Sequence, residues 1–158
     1  MFRPMRRPNQ ALPEETGIEL LKNEKRGVLS VIGDDGYPYG TPINHFYNEE
    51  DGKIYFHGGK TGHRVDALCR DNKASYSVID SGVHVDGDWA LTFRSVIIFG
   101  KIEFIDDQAE VDRICRLLSQ KFTDDTAYTE AEIRDHGAAT LLFALVPEHM
   151  TVKRVHEA

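Results

Sequence analysis

Residues 57–64, here called the glycine turn, combine features that suit binding of an anion. An apolar, strand-like stretch ends at Phe56, and three glycines then allow the backbone to approach a ligand closely. The potential cations of this segment are Lys60, His63 and Arg64. A helix is predicted from Thr61, as N-cap, to about Asp71, and the N–H groups at a helix start favour an anion. The glycine turn is therefore predicted to bind a phosphate group.

Two common nucleotide-binding motifs do not fit this segment. Gly59-Lys60-Thr61 looks like the end of a P-loop, but the required glycine five positions earlier is replaced by Ile54. The glycines at 58, 59 and 62 also lack the G-x-G-x-x-G spacing of a dinucleotide fingerprint. The predicted phosphate site is therefore of another kind.

Other chemistry is weakly represented along the chain. The seven histidines include no i,i+4 pair and no cysteine partner at zinc spacing, so no metal site is expected. No G-x-S-x-G nucleophile motif occurs. His45 and His57 could meet across adjacent strands, but a pair alone is a poor metal site. Because histidine titrates near neutral pH, these two are the candidate proton donors if a redox cofactor binds nearby, and a hydrogen bond or a packing role is the alternative for each.

The elements that must position these residues are mostly strands. Alternating and β-branched patterns predict strands at 28–32, 39–47, 53–57, 74–80, 91–105, 139–146 and 150–155. Capping and periodicity predict helices at 13–24, 61–71, 107–122 and 129–137. Helices do not alternate regularly with strands, so the pattern predicts a mainly β fold, an antiparallel barrel with flanking helices.

Single residues refine this expectation. Pro42 cannot donate to a sheet ladder, so its strand is predicted at an edge or interrupted there. Gly100 predicts a bulge in the long strand, and the apolar run Val96–Phe99 predicts burial on both faces. Cys69 falls on the apolar stripe of its helix and is predicted to be a buried free thiol.

Composition sets the broad class. The 158 residues predict a single domain, 1–158, with residues 1–12 as an extended tail. A net charge of −7 argues against nucleic acid as a partner. No apolar run is long enough to span a membrane and no signal segment is visible, so a cytoplasmic location is expected.

Four blocks in order resemble the pyridoxamine 5′-phosphate oxidase-like flavin-binding proteins, most of all their 5-nitroimidazole-resistance (Nim) branch. The blocks are Gly27-Val28-Leu29-Ser30-Val31, Gly36-Tyr37-Pro38-Tyr39-Gly40-Thr41-Pro42-Ile43-Asn44, Ile54 to Arg64, and Phe93-Arg94-Ser95-Val96-Ile97-Ile98-Phe99-Gly100. The resemblance implies an FMN-binding split β-barrel and a homodimer with FMN in clefts at the subunit interface.

The resemblance also implies roles for individual residues. The residues expected along the flavin ring are Thr41, Pro42, Ile43 and Asn44, largely through main-chain groups. Phe56 and His57 would follow along the cofactor, and Ser95 would also face it. The phosphate would be held by Lys60, His63 and Arg64.

Two classes of function remain open. The first is a nicotinamide-dependent FMN reductase of small electrophilic compounds such as nitroimidazoles or quinones. The second is a flavin- or haem-binding sensor or carrier without turnover, in which His149 or His156 would ligate haem. The deazaflavin F420 is a further alternative cofactor. Oxidation of pyridoxamine phosphate is not expected, because the C-terminus lacks the arginine–tryptophan motif of the true oxidase.

Overall fold

A computed structural model describes residues 1–157 as a curled, nine-stranded antiparallel sheet with four α-helices around it. The strands are β1 (Ala11–Leu12), β2 (Arg26–Ile32), β3 (Pro38–Asn44), β4 (Phe46–Asn48), β5 (Lys53–Gly59), β6 (Lys73–Ile79), β7 (Val83–His84), β8 (Leu91–Ile105) and β9 (Thr140–His156). The helices are α1 (Glu14–Asn23), α2 (His63–Arg70), α3 (Gln108–Gln120) and α4 (Thr126–His136). The mainly β fold with flanking helices is confirmed.

Strand order around the sheet is β3-β2-β6-β8-β9-β5-β4, with β1 added to β9 and β7 to β8. The strand that contains Pro42 lies at one end of this order, as its missing N–H donor predicts. The curl of the sheet brings β3 close to β5, although the two are not paired. The two strands that carry the candidate site are therefore neighbours across the opening of a split barrel.

β8 and β9 form the centre of the sheet and differ from prediction in one respect. Pro147 was expected to separate two strands, but β9 runs without a break from Thr140 to His156. A bulge absorbs the irregularity: Phe99 pairs with His149, whereas Gly100 pairs with Pro147, which leaves Glu148 as the extra residue. The bulge predicted at Gly100 is confirmed.

The core fills the concave side of the sheet. Tyr76, Phe56 and Phe143 are its largest fully buried side chains, and their rings contact one another at centroid distances of 4.9 and 5.4 Å. Helix α1 packs closely on β8 and β9, because the absence of a side chain at Gly17 admits Val152. A smaller apolar cluster lies under α3 on the opposite side of β5 and β9.

The convex side of β2, β6 and β8 is open to solvent. The predicted burial of both faces of Val96–Phe99 is wrong, because burial alternates and Ile97 and Phe99 are 40% and 41% exposed. Residues 1–12 are not simply an extended tail. Ala11–Leu12 pair with β9, and the Phe2 ring stacks on Phe99 and His149.

Helix α2 begins later than predicted and is turned differently. Gly62, not Thr61, precedes its first residue, His63, and Cys69 is exposed. The buried residues of α2 are Ala67 and Leu68. The buried side of this helix therefore does not include Cys69, which the sequence pattern placed on it. Within residues 1–157, no helix has the length and apolar character needed to cross a membrane.

Candidate functional site

The glycine turn connects β5 to α2 at the opening of the barrel. Gly62 has φ = 122°, a conformation that side chains rarely adopt, so glycine is needed there for α2 to start. A side chain at Gly59 would meet only the Thr61 carbonyl oxygen, 3.9 Å away, so the backbone here borders open space. The first N–H groups of α2 have no partner within the helix, as at every helix start. The turn therefore offers backbone donors to a ligand.

Arg64, like Lys60, has no acidic partner among residues 1–157, and it is the more enclosed of the two. Its guanidinium lies 5.2 Å from the Phe143 ring centre, and Nη1 is 3.5 Å from Thr41 Oγ1. Its Nε is buried and makes no hydrogen bond. A Cβ at Gly58 would come within 2.8 Å of Nη2, so the guanidinium lies against bare backbone. Burial lowers the pKa of Arg64, which stays charged at neutral pH.

The other two cations point away from Arg64. Lys60 Nζ donates to the Ala138 carbonyl oxygen at 2.6 Å, in the 3₁₀ turn after α4. His63 stacks on Tyr39 at a centroid distance of 4.1 Å, and its Nε2 accepts from the Asp34 N–H at 3.3 Å. Convergence of all three cations on one phosphate therefore stays a prediction, and it requires Lys60 to change partner.

The edge strand β3 presents its residues alternately to the two sides of the sheet. Thr41 and Ile43 are two residues apart and so lie on the same, inward side: Thr41 contacts Arg64, and Ile43 packs into the core with its carbonyl oxygen 3.1 Å from the Tyr76 hydroxyl. Asn44 Oδ1 accepts from Arg26 Nε at 2.7 Å, which leaves the Asn44 amide nitrogen free to donate elsewhere. Pro42 pairs with Val28 in the ladder.

Phe56 and His57 project to opposite sides of β5. The Phe56 side chain is fully buried in the core, so a cofactor could meet this residue only through its backbone. His57 lies on the other side, reaches solvent, and makes no hydrogen bond with the described residues 1–157. Enclosure by its neighbours lowers the pKa of His57, which is therefore largely neutral at pH 7.

The structure gives His45 a different role from the predicted proton donor. Its ring is fully buried, Nε2 contacts the Leu21 carbonyl oxygen at 2.7 Å, and Nδ1 contacts the Tyr76 hydroxyl at 2.7 Å. Burial, and secondly the charge of Lys121, lower its pKa to about 4. With both ring nitrogens engaged and no exposed surface, His45 is a structural residue.

Ser95 and the two C-terminal histidines lie on other parts of the sheet. Ser95 pairs with Ile79 and Lys153 on the convex face, not beside the glycine turn. His149 is stacked under Phe2, and His156 Nδ1 is 2.8 Å from Thr92 Oγ1. Within residues 1–157 no group of three or more histidine, cysteine or acidic side chains is arranged to hold a metal ion.

A cavity of about 290 Å³ adjoins the candidate site and was not foreseen from the sequence. Asn44 and His57 line it from the strands, and α3 and α4 cover it. The sequence contained one signal for it: α4 has little apolar character on any side. In the structure, none of the residues of α4 is buried. Such a helix does not pack on a core, and a position over a cavity accounts for it.

Comparisons with known proteins agree with this architecture. A family model described as pyridoxamine 5′-phosphate oxidase matches residues 13–154. No curated protein matches the sequence.

Three solved structures share the fold. A candidate 5-nitroimidazole antibiotic resistance protein from Bacteroides thetaiotaomicron is 20% identical, with a TM-score of 0.77 over 91% of this chain and 85% of its own. An FAD- and haem-binding protein from Mycobacterium smegmatis is 25% identical, with a TM-score of 0.72 over 91% of this chain and 72% of its own. An FAD-binding protein from Mesorhizobium loti is 17% identical, with a TM-score of 0.67 over 92% and 97% of the two chains.

Proposed function

Because this chain belongs to the pyridoxamine 5′-phosphate oxidase family, we propose that it is a flavin-binding oxidoreductase, with FMN as its cofactor. The observation that carries the proposal is Arg64. A partly buried guanidinium without a carboxylate partner, placed against glycine backbone at a helix start, is an anion site whose anion must come from a ligand. The phosphate of FMN is such an anion.

Most of the predicted residues have a defined task in this proposal. Arg64, Thr41 and the first N–H groups of α2 hold the phosphate, and Lys60 joins them from the opposite side of the turn. The ring lies along the segment from Thr41 to Asn44, where main-chain groups contact it. His57 meets the cofactor at the other strand. Its neutral imidazole can donate a hydrogen bond to an acceptor, whereas transfer of a proton requires the imidazolium form, which the lowered pKa makes the minority form at pH 7.

The reaction that fits best is reduction of a small electrophilic compound, such as a nitroimidazole or quinone, by a reduced nicotinamide. A bound flavin supplies the redox chemistry by taking two electrons from the nicotinamide and delivering them to the acceptor. The chain's own residues bind and orient the cofactor and manage the proton. Similarity to a candidate nitroimidazole resistance protein supports this choice of acceptor.

The complete site requires a homodimer in this proposal. The convex face of the sheet exposes apolar side chains that a monomer would leave in water: Val28, Ile32, Ile79, Ile97 and Phe99. Burial of this face against a second copy removes that cost. Ser95 lies on the same face and would then reach a flavin held at the interface.

We expect the purified protein to be yellow and to retain FMN. The variant Arg64→Ala should bind FMN about 100-fold more weakly, because it loses a desolvated, charge-assisted contact. The matched control is Arg70→Ala, at the other end of α2, where the arginine pairs with exposed Asp34. FMN affinity is measured by flavin fluorescence quenching. Equal affinity in both variants would refute the phosphate site.

One observation favours the alternative of a non-catalytic sensor or carrier: the chain is 25% identical to an FAD- and haem-binding protein. The absorption spectrum separates the cases. A Soret band would indicate haem. A flavin spectrum that neither NADH nor NADPH bleaches would indicate a carrier, and chromatography of the released cofactor distinguishes FMN from FAD or F420.

A further inference from the structure

We propose that the cavity between β3, β5 and the α3–α4 pair is the binding site of the electron acceptor, and that it selects small planar aromatic compounds that are neutral or cationic. This inference rests on the proposed function, because it concerns the acceptor of the same reaction. It names the place and the charge of that acceptor, which the flavin site alone does not determine.

Two helix faces form the apolar walls of the cavity. Cys115, Leu118 and Phe122 of the α3 region are three, four or seven residues apart and so share one side, and Ile133 and Tyr128 face them from α4. Phe122 and Tyr128 are 40% and 58% exposed, which is a large apolar exposure for two aromatic rings. A flat aromatic ligand between the helices would cover both rings. The volume, about 290 Å³, suits a small ligand.

The floor of the cavity offers hydrogen-bond donors. Asn44 Oδ1 is already occupied by Arg26, so its amide nitrogen is the atom available to a ligand. His57 has no partner within residues 1–157 and can donate one ring N–H in its neutral form. Both residues also belong to the segments assigned to the flavin. A ligand with acceptor oxygens, such as a nitro or carbonyl group, would therefore turn its reducible end towards the flavin.

Charge around the cavity disfavours anions. Glu132 of α4 lines it, whereas no lysine or arginine of the described chain does. Lys60 lies near the rim through its bond to Ala138. In the proposed FMN site it would turn to the cofactor phosphate. The lining also contains His136, and two cations contact lining residues from outside it: Arg26 binds Asn44 Oδ1, and Lys25 Nζ lies 5.4 Å from the Phe122 ring centre. A carboxylate or phosphate ligand would meet Glu132 with no lysine or arginine beside it in the lining.

Helix α4 is held by polar contacts rather than by a buried face, which leaves the space beneath it open. Asp125 caps its start, and Arg116 binds Glu130 in its second turn through two hydrogen bonds. Lys60 holds the turn after its end. None of these contacts occupies the cavity, so a ligand can enter without breaking them.

The test is direct binding of three nitroaromatic probes of equal size to FMN-loaded protein, measured by calorimetry and ligand-observed NMR. We expect 4-nitrobenzylamine, as its ammonium ion, to bind best, 4-nitrobenzyl alcohol next, and 4-nitrobenzoate about 10-fold weaker than the amine. Glu132→Gln should reduce that ratio to about two-fold. The control Asp135→Asn removes a charge from the same helix outside the cavity and should leave the ratio unchanged.

A second variant tests the place. Ile133→Trp fills the cavity and should abolish binding of all three probes, while FMN binding and the melting temperature stay as in the parent protein. Tightest binding of 4-nitrobenzoate, or undiminished binding in Ile133→Trp, would overturn the inference.

Repeating the titration without FMN separates this inference from the proposed function. Competition between FMN and the probes would show that the ring itself fills the cavity, and would overturn the inference while the flavin assignment stands. If the chain takes up no flavin but binds the probes in the expected order of charge, the ligand site in the cavity would be supported and the proposed function refuted.

Discussion

At the scale of single residues, burial and hydrogen bonding separate the two histidines that the sequence made equivalent. Both lie in or next to strands beside the glycine turn, and the local pattern contains nothing that distinguishes them. Tyr76, far along the chain, bonds His45 into the core, whereas Leu142 lies opposite His57 in the ladder and leaves its ring at the surface. Only the pairing of distant strands decides which histidine can meet a ligand.

His45 makes stability depend on pH in a predictable direction. Its pKa is about 4 in the folded protein and 6.5 when exposed, so below pH 6.5 the unfolded state binds the additional proton. Stability therefore falls as pH decreases from 6.5 to 4, and the His45 contribution reaches roughly 2 to 3 kcal/mol at pH 4.5.

Replacement His45→Gln removes this titration but keeps a donor for Leu21 and an acceptor for Tyr76. Between pH 7 and pH 4.5, we expect the free energy of unfolding of the variant to fall by roughly 2 to 3 kcal/mol less than that of the parent protein. Urea unfolding at a fixed protein concentration measures it. Parallel pH profiles of the two proteins would show that folding does not shift the pKa of His45.

At the scale of elements, most strands and helices follow from local pattern, and the errors come from distant contacts. Pro42 correctly indicates an edge strand, and Gly100 a bulge, because each residue limits the backbone on its own. Pro147 indicates the end of a strand in the sequence, yet β9 continues through it with a bulge at Glu148. The N-cap of α2 is Gly62 rather than Thr61, in a conformation with φ of 122° that glycine adopts readily.

Gly100 allows the two central strands to approach at the bulge, and this can be tested. A Cβ there would lie 2.1 Å from the Val146 carbonyl oxygen, a backbone atom that cannot move without breaking the ladder. We expect Gly100→Ala to lower the free energy of unfolding by roughly 3 kcal/mol or more.

The matched control is Gly52→Ala, where φ is +70° but no atom lies within 4 Å of the new Cβ. Only the cost of the backbone conformation, about 1 kcal/mol, applies there. Chemical unfolding compares the two variants. A Gly100→Ala protein as stable as Gly52→Ala would mean that the strands separate easily at the bulge.

At the scale of the whole molecule, the family and the curled sheet were predictable, and the cavity was not. The fold follows from four sequence blocks that each carry recognisable chemistry. The cavity depends on how α3 and α4 lie over β5, and neither helix contains a motif for that. The exposed convex face was missed for a related reason: four consecutive apolar residues, Val96–Phe99, indicate burial on both faces, and only the packing of the sheet shows that Ile97 and Phe99 reach solvent.

The homodimer proposal predicts a monomer when a charge is placed in the centre of the convex face. Ile97 pairs with Ser77 and Thr151 there, so Ile97→Lys leaves the fold of one chain unchanged but buries an ammonium group in the interface. We expect loss of the dimer and, because the clefts lie between subunits, loss of FMN.

Light scattering with in-line absorbance at the flavin wavelength measures both properties at once. Tyr37→Lys is the control, since Tyr37 is 75% exposed at the β2–β3 turn, outside the strands of that face. A parent protein that carries FMN as a monomer would contradict the proposed interface.

The bond from Lys60 to Ala138 has a consequence for the order of events. The ammonium group that we assign to the phosphate contacts the turn after α4 in this structure. If Lys60 leaves Ala138 to bind the cofactor, as the proposed site requires, loading of the cofactor would loosen the turn that follows the helix over the cavity. Thermodynamic reciprocity requires the converse: a molecule that clamps α4 in place must weaken retention of the cofactor by the same factor.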